Sequence, residues 1–312
     1  MSDTETNPGD DAGKSLQSLG WSAHFDAALA EASERAGVEL VAGRVAADFG
    51  RDLRVVGPFG AERAALAGRL RFEEGLRPAV GDFVGLVGVP GSMVIVEVLD
   101  RRTSLARQAA GQKTGRQIIG ANLDIVFVVT SFNEDLSVNR LERYVVAVRE
   151  GGGTPIVLVN KEDLVAAEAR DALLAELRER LVDVEVRAVS AHSDDGLAGL
   201  RERVTQGVTA SFVGSSGVGK SSIVNRLVGS ALQAVREVRE ADAKGRHTTT
   251  HRELFVLEGG GLLLDTPGMR EFQLWDEVGA DAFDDIAALA AECRFRDCQH
   301  DAEPGCAVVE AV

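Results

Sequence analysis

The densest chemistry in this chain lies in eight residues, Gly214-Ser215-Ser216-Gly217-Val218-Gly219-Lys220-Ser221. They fit the spacing G-x-x-x-x-G-K-[ST], in which glycines let successive backbone N–H groups turn inward around a polyphosphate. The ammonium of Lys220 would reach the outer phosphates, and the Ser221 hydroxyl would take one position on Mg²⁺. Such a loop works only between a strand and a helix. The apolar run Ala210 to Val213 precedes it, and the helical pattern from Ser222 to Val228 follows, placing the phosphates where a helix N-terminus favours anions.

A second group reads a base. Asn160-Lys161-Glu162-Asp163 follows the apolar run Pro155 to Val159. The carboxylate of Asp163 accepts two hydrogen bonds only from an edge with adjacent donors, which guanine presents and adenine does not. Adenine would meet repulsion there, so the preference rests on penalty as well as reward. Asn160 is expected on the acceptor edge of the base, with the Lys161 stem over the ring. Ser190 and Ala191 end the next apolar run, where a small residue and a backbone N–H could approach the guanine oxygen.

Downstream, Leu262 to Leu264 leads to Asp265-Thr266-Pro267-Gly268. An acid at such a strand end holds Mg²⁺ through water, and the Gly268 N–H would report the terminal phosphate. Between the two segments lies Gly245-Arg246-His247-Thr248-Thr249-Thr250-His251. Thr249 and Thr250 are expected at the nucleotide, with the Thr250 hydroxyl completing the Mg²⁺ shell. Met269, directly after Gly268, cannot polarise an attacking water, so an imidazole from this segment is the expected orienting group, His247 in preference to His251.

All three cysteines, Cys293, Cys298 and Cys306, fall in one window with His300. Three thiolates and an imidazole suffice for a closed tetrahedral Zn²⁺ site, which would staple a small module rather than catalyse.

The elements needed to position these groups follow from periodicity. Val41–Val45, Leu53–Val56, Ala64–Gly68, Phe83–Val87 and Met93–Leu99 read as five short strands, an OB-like β-barrel first and an SH3-like one second. Ser22 to Glu34 reads as a short helix before them. Ala109 to Gln117 has the composition of a linker. Beyond it, strands at Asp124–Thr130, Pro155–Val159 and Val184–Val189 alternate with helices at Asn139–Arg149, Asp163–Leu181 and Gly196–Val204, the pattern of a parallel sheet covered on both faces. Asp281 to Ala291 is expected as a helix leading into the cysteine cluster. The expected divisions are an acidic tail and short helix over 1–38, the barrel over 39–107, an α/β nucleotide-binding domain over 108–275 and a metal-binding domain over 276–312.

The chain has 312 residues and a formal charge of −15, which argues against general coating of nucleic acid. The stretch Glu39 to Arg107 carries ten Arg against nine acids and is the least acidic surface for touching RNA. No apolar run approaches a membrane span, and Met1 to Gly13 is acidic and polar, unlike an export signal. A cytoplasmic monomer is expected.

The order of the motifs is unusual, because the base-reading Asn160 to Asp163 precedes the phosphate loop. One sheet can still bring them together if the chain is circularly permuted. On these motifs, NKED at 160–163, GSSGVGKSS at 214–222 (through Ser222), GRHTTT at 245–250, DTPGMREF at 265–272, the cluster Cys293 to Cys306, and GRL-R and PAVGD at 68–71 and 78–82, the chain resembles the RsgA (YjeQ) family. That resemblance implies a circularly permuted P-loop GTPase domain with an N-terminal OB-like β-barrel and a small C-terminal zinc-binding domain. It also implies GTP hydrolysis stimulated by the small (30S) ribosomal subunit and its rRNA, a part in late 30S maturation, and His247 as the catalytic histidine. The chain closes at Val312, soon after Cys306, where that family usually continues into another helical segment, so a minimal or shortened zinc module is expected. Two other readings stand beside it: an RNA-binding scaffold that holds guanine nucleotide without turnover, and a P-loop ATPase or kinase, which Asp163 disfavours.

Overall fold

Five short strands close on themselves near the start of the chain: β1 (Val41–Asp48), β2 (Asp52–Gly57), β3 (Gly60–Leu66), β4 (Phe83–Val89) and β5 (Ser92–Val98). The computed structural model describes residues 14–73, 75–108, 116–133, 136–229, 252–265, 289–290, 292–295, 298 and 304–311. The barrel order is β1-β2-β3-β5-β4, with β4 returning to β1. The β3–β5 pair is parallel and the others antiparallel, the arrangement expected of an OB-like barrel. Closure removes the unpaired edges that short strands would otherwise expose. The third strand starts four residues earlier and ends two residues earlier than the expected Ala64–Gly68. It ends at Leu66, and Gly68–Phe72 forms the short helix α2, anchored by buried Leu70.

Helix α1 (Ala23–Ala36) packs Phe25 onto the barrel, where Phe25 and Phe83 have centroids 4.3 Å apart and Trp21 meets Phe83 edge-on at 5.1 Å. The helix stops at Gly37, whose φ of 67° is a left-handed conformation that glycine adopts without a Cβ penalty.

The second unit is a parallel sheet: β8 (Ile125–Ser131), β9 (Thr154–Asn160), β10 (Glu185–Ala188), β11 (Thr209–Gly214) and β13 (Leu262–Asp265), in the order β10-β9-β8-β11-β13. The helices are α3 (Val138–Glu150), α4 (Ala167–Arg180), α5 (Asp194–Arg203) and α6 (Lys220–Val228). Alternate residues of the strands serve opposite layers. Val126, Val128, Val157 and Val159 share a core with Leu141, Val145, Val148, Leu174 and Leu177 of α3 and α4. Phe127, Val129, Ile156, Leu158 and Phe212 share the other with Leu197, Leu200, Ile223 and Leu227 of α5 and α6. Burial of both faces is why these strands are continuous apolar runs.

Two expectations change. The single helix over Asp163–Leu181 is a 3-10 turn at Glu162–Leu164 followed by α4, because Val165 (φ −128°, ψ 151°) and Ala166 (φ −65°, ψ 149°) are extended and break the helical hydrogen bonding. The stretch around the expected linker is flanked by an antiparallel ribbon of β6 (Ser104–Gln108) and β7 (Arg116–Ala121), so Arg116 and Gln117 lie in a strand. Residues 109–115 lie outside the described residues, as does nearly all of the expected helix Asp281 to Ala291, of which Leu289 and Ala290 are described as helical.

The barrel and the parallel sheet share hydrogen bonds. Strand β12 (Glu253–Val256) runs antiparallel to β13, and its Glu253 pairs with Ala47 of β1, joining both into one eleven-stranded sheet. A second tie is the fully buried Arg44 of β1. Its Nε donates to the Gly81 carbonyl at 3.0 Å, and Nη1 donates to the Leu19 carbonyl at 2.6 Å and Thr209 Oγ1 at 2.8 Å. Nη2 donates to the Asn122 carbonyl at 3.1 Å. Burial pushes the guanidinium pKa down to about 10, against the pull of Asp124 and Asp82. Thr209 opens β11, the strand that carries the phosphate loop, so the barrel is bonded to the base of that strand.

Candidate functional site

The phosphate loop and the base-reading segment leave the carboxyl ends of β11 and β9, which flank β8 in the sheet. Two strand spacings separate them by about 10 Å, a span that a nucleotide bridges. In open α/β sheets this carboxyl end is where ligands bind.

Gly214 ends β11 at φ 139°, and a Cβ there would lie 2.0 Å from the Val129 carbonyl oxygen, so any larger residue would collide with the neighbouring strand. Gly219 (φ 97°) is the N-cap of α6, and its Cβ would lie 2.1 Å from Asn160 Nδ2. The loop's curvature therefore depends on glycine at both ends, and its second end presses on the base-reading segment. Val218 is buried between them, while Ser216, Ser221 and Ser222 are exposed and Ser215 is half-buried. Lys220, the first residue of α6, folds its ammonium back to donate to the Gly214 carbonyl at 2.6 Å and the Ser215 carbonyl at 2.5 Å. Helix α6 is fixed under the loop by buried Ile223, Val224, Leu227 and Val228.

Asn160 ends β9 and is buried. Its Nδ2 donates to the Val218 carbonyl at 2.8 Å, and its Oδ1 accepts from the Ala191 N–H at 3.1 Å. The side chain expected on the acceptor edge of the base thus ties together the phosphate loop, β9 and the segment after β10. Lys161 takes a left-handed backbone (φ 67°), and its Nζ donates to the Gly217 carbonyl at 3.0 Å. That turn lets Glu162 N–H donate to the Val189 carbonyl at 3.2 Å and leaves Asp163 exposed at the mouth.

Asp163 is held below the usual carboxylate range, chiefly by a hydrogen bond with the buried Ser190 hydroxyl and to a lesser extent by the charge of His192. It is therefore ionised when a guanine edge arrives. The Ser190 hydroxyl also accepts from the His192 N–H at 3.1 Å, so Ser190 sits between the two. The influence of His192 carries no motif of its own. The signal for His192 is only its place directly after Ser190-Ala191.

Asp265 is the last residue of β13, in register with Glu253 of β12, and the Ser211 hydroxyl of β11 donates to the Leu264 carbonyl at 3.1 Å. The expected Mg²⁺-side strand is thus directly beside the phosphate-loop strand. His247, His251, Thr249, Thr250 and Gly268 lie outside the described residues.

At the C-terminal side, the Sγ atoms of Cys293, Cys298 and Cys306 lie within 4.8 Å of one another, and Cys293 and Cys306 are 3.8 Å apart. Four thiolates or imidazoles around Zn²⁺ at about 2.3 Å place neighbouring sulfurs about 3.8 Å apart, so this donor set fits that ion. Cys306 is buried and accepts from the Val309 N–H at 3.4 Å, in the first turn of α7 (Ala307–Ala311). His300, the expected fourth ligand, is outside the described residues.

Comparison with known proteins agrees with this geometry. A model of the RsgA GTPase family matches residues 98–275. A small ribosomal subunit biogenesis GTPase RsgA of Methanosarcina acetivorans is 43% identical over 297 residues, covering 94% of this chain and 79% of that protein. One of the same name from Opitutus terrae is 41% identical over 314 residues, covering 95% and 84%. Among solved structures, YjeQ from Thermotoga maritima superposes with a TM-score of 0.57 at 26% identity, covering 86% of this chain and 90% of that one. YloQ, a circularly permuted GTPase, shares the fold with a TM-score of 0.56 at 24% identity, covering 87% and 88%. The reversed order of base-reading and phosphate-binding segments is therefore a permutation shared with relatives, and the chain belongs to the RsgA family of GTPases.

Proposed function

We propose that this GTPase binds GTP across the carboxyl ends of β9 and β11, hydrolyses it to GDP and phosphate, and turns over faster on the 30S ribosomal subunit during its late maturation. The observation that carries this reading is the Asn160 amide, hydrogen-bonded to Val218 of the phosphate loop and to Ala191 after β10. It makes one pocket of two segments that a conventional order would place the other way round. The glycine-framed loop cradles the phosphates, Lys220 moves from its carbonyl partners to the outer phosphates, and Asp163 pairs with the guanine edge. Ser221, with Thr250 and Asp265, would hold Mg²⁺, whose charge offsets that developing on the transferred phosphoryl group. His247 would orient the attacking water. Cys293, Cys298, Cys306 and His300 would hold Zn²⁺ as a structural staple.

The names of the relatives bring the small subunit to this chain as a partner. The barrel carries two fitting exposed pairs. Exposed Phe49 carries the Arg63 guanidinium 4.9 Å from its ring centroid, and exposed Phe72 carries Arg71 at 5.6 Å. Aromatic rings paired with arginines stack on exposed bases and neutralise phosphates, which suits rRNA on an otherwise acidic protein. Among the described residues no helix is long and apolar enough to cross a membrane. We take the working form as a cytoplasmic monomer.

The test is multiple-turnover phosphate release against a titration of 30S subunits, with Lys220→Ala and His247→Ala beside the parent. Stimulated GTP turnover is expected, with nucleotide binding lost in the first variant and stimulation alone lost in the second. Tight nucleotide retention with no stimulation would make the protein a guanine-nucleotide-dependent scaffold instead.

A further inference from the structure

Strand β12 belongs to the barrel and to the nucleotide sheet at once, through a single residue. β1 pairs with β4 from Val41 to Arg44, its register then shifts between Val45 and Ala47, and Ala47 pairs with Glu253. A bulge of this kind bends a strand and changes which neighbour it meets. On its other side Glu253 is in register with Asp265, the last residue of β13. The Glu253 carboxylate is also held by the barrel, in an ion pair with Arg54 of β2 at 2.9 Å, with the glutamate side chain 10% and the arginine 27% exposed. Just ahead, Arg252 Nη1 donates to the Ile118 carbonyl of β7 at 3.4 Å. In sequence this strand directly follows Gly245 to His251 and directly precedes the turn to β13.

Glu253 is thus one strand spacing from the barrel and one from the strand that ends in Asp265, with its backbone and carboxylate both fixed from the barrel side. A largely desolvated ion pair is weakly screened and holds its geometry better than a surface pair. A small displacement of β1 and β2 would therefore move the start of β12 rather than be absorbed by solvent. We propose that the barrel is the lever by which RNA bound at its exposed arginine–phenylalanine pairs sets the Mg²⁺ side of the nucleotide site, with Glu253 as the positioning residue. This rests on the GTPase reading above and adds to it the route by which a partner reaches the site. The two states involved are the resting register of β12 and the one the loaded barrel selects, so the effect is a coupling between sites and not a contact with nucleotide.

The experiment compares Glu253→Gln, Arg54→Met and the exchanged pair Arg54→Glu/Glu253→Arg with the parent. Four quantities are read: affinity for fluorescent GDP, turnover without subunits, turnover at saturating 30S subunits, and the subunit concentration giving half-maximal stimulation. Both single variants are expected to keep nucleotide affinity, unstimulated turnover and half-maximal concentration within about twofold while subunit-stimulated turnover falls about tenfold, within the usual range of coupling between sites. The exchanged pair is expected to recover much of that loss. A merely structural role would lower thermal stability and all four quantities together and would not be rescued by exchange. Stimulation equal to the parent in both single variants overturns the proposal, as does a loss that the exchanged pair leaves unchanged. Should Glu253→Gln fail to fold, Arg54→Met and the exchanged pair decide alone. A parent that hydrolyses GTP without any response to subunits removes the GTPase-on-subunit reading itself, an outcome read before any variant is compared.

Discussion

Replacing Asn160 with alanine takes away a side chain that bonds the phosphate loop to the segment after β10. Its amide satisfies the Val218 carbonyl at 2.8 Å and the Ala191 N–H at 3.1 Å, and the residue is 2% exposed. Each buried group left without a partner costs about 1–3 kcal/mol. Water entering the vacated volume, bordered by these two polar groups, recovers part of that, so a net loss of about 2–4 kcal/mol is expected. The penalty is drawn from the order of the two loops, which nucleotide binding must then restore. At about 1.4 kcal/mol per tenfold, affinity for GDP should fall by about thirtyfold to a thousandfold. Titration with a fluorescent GDP analogue reads this directly, and a thermal melt without nucleotide separates it from global unfolding. Asn160→Asp sharpens the test: a carboxylate can still accept from Ala191 but sets an oxygen against the Val218 carbonyl, so its loss should be at least as large. An Asn160→Ala protein binding GDP within about threefold of the parent would refute the claim that this amide unites the pocket.

Arg44→Met leaves three carbonyls and the Thr209 hydroxyl without their shared donor. Breaking a buried charged network of this kind costs about 3–5 kcal/mol, and at about 2–4 °C per kcal/mol the melting midpoint should fall by about 6–20 °C in calorimetry. A midpoint unchanged within error would show that the junction contributes little. Asp163 titrates below its ordinary value because Ser190 bonds its charged form. Its contribution is therefore complete at neutral pH and lost only as pH falls through that depressed pKa, so GDP affinity should stay flat down to the ordinary aspartate range near ~4. Ser190→Ala should move the onset of decline to higher pH, and equal onsets would remove Ser190 from that role. Cys306→Ser, or a strong chelator, should release Zn²⁺ measurable by a colorimetric chelator and loosen the C-terminal segment to protease, while GDP affinity holds. Absence of bound Zn²⁺ in the purified parent would refute the assignment.

Much of this architecture is legible in the chain because the same residues signal locally and globally. The five barrel strands, the three parallel strands that alternate with helices and the phosphate loop each carry a period or spacing that tertiary contacts then reinforce. What is not legible is instructive. Strands β6 and β7 flank a Gly- and Lys-containing stretch whose composition reads as linker, and a two-stranded ribbon needs little apolar pattern. Strand β12 has four residues, too few for periodicity to speak, and it is in the sheet because β13 and Ala47 pair with it. Arg44 reads as surface by type, since its burial depends on acceptors more than one hundred residues away in Thr209. For Asn160 the pattern predicts a base contact, whereas its amide is committed to backbone partners that only the assembled sheet supplies.

The permuted order also sets a timetable for synthesis on the ribosome. Arg44 and Thr209 are 165 residues apart in sequence, so at about 5–20 residues per second the guanidinium waits roughly 8–33 s for its last acceptor. Over much of the same interval β8 has emerged with one edge bare, awaiting β11. An uncovered central edge is a template for wrong pairing, so the newborn chain passes through a window in which that edge is open to mispairing, and slowing translation between β10 and β11 should lengthen it.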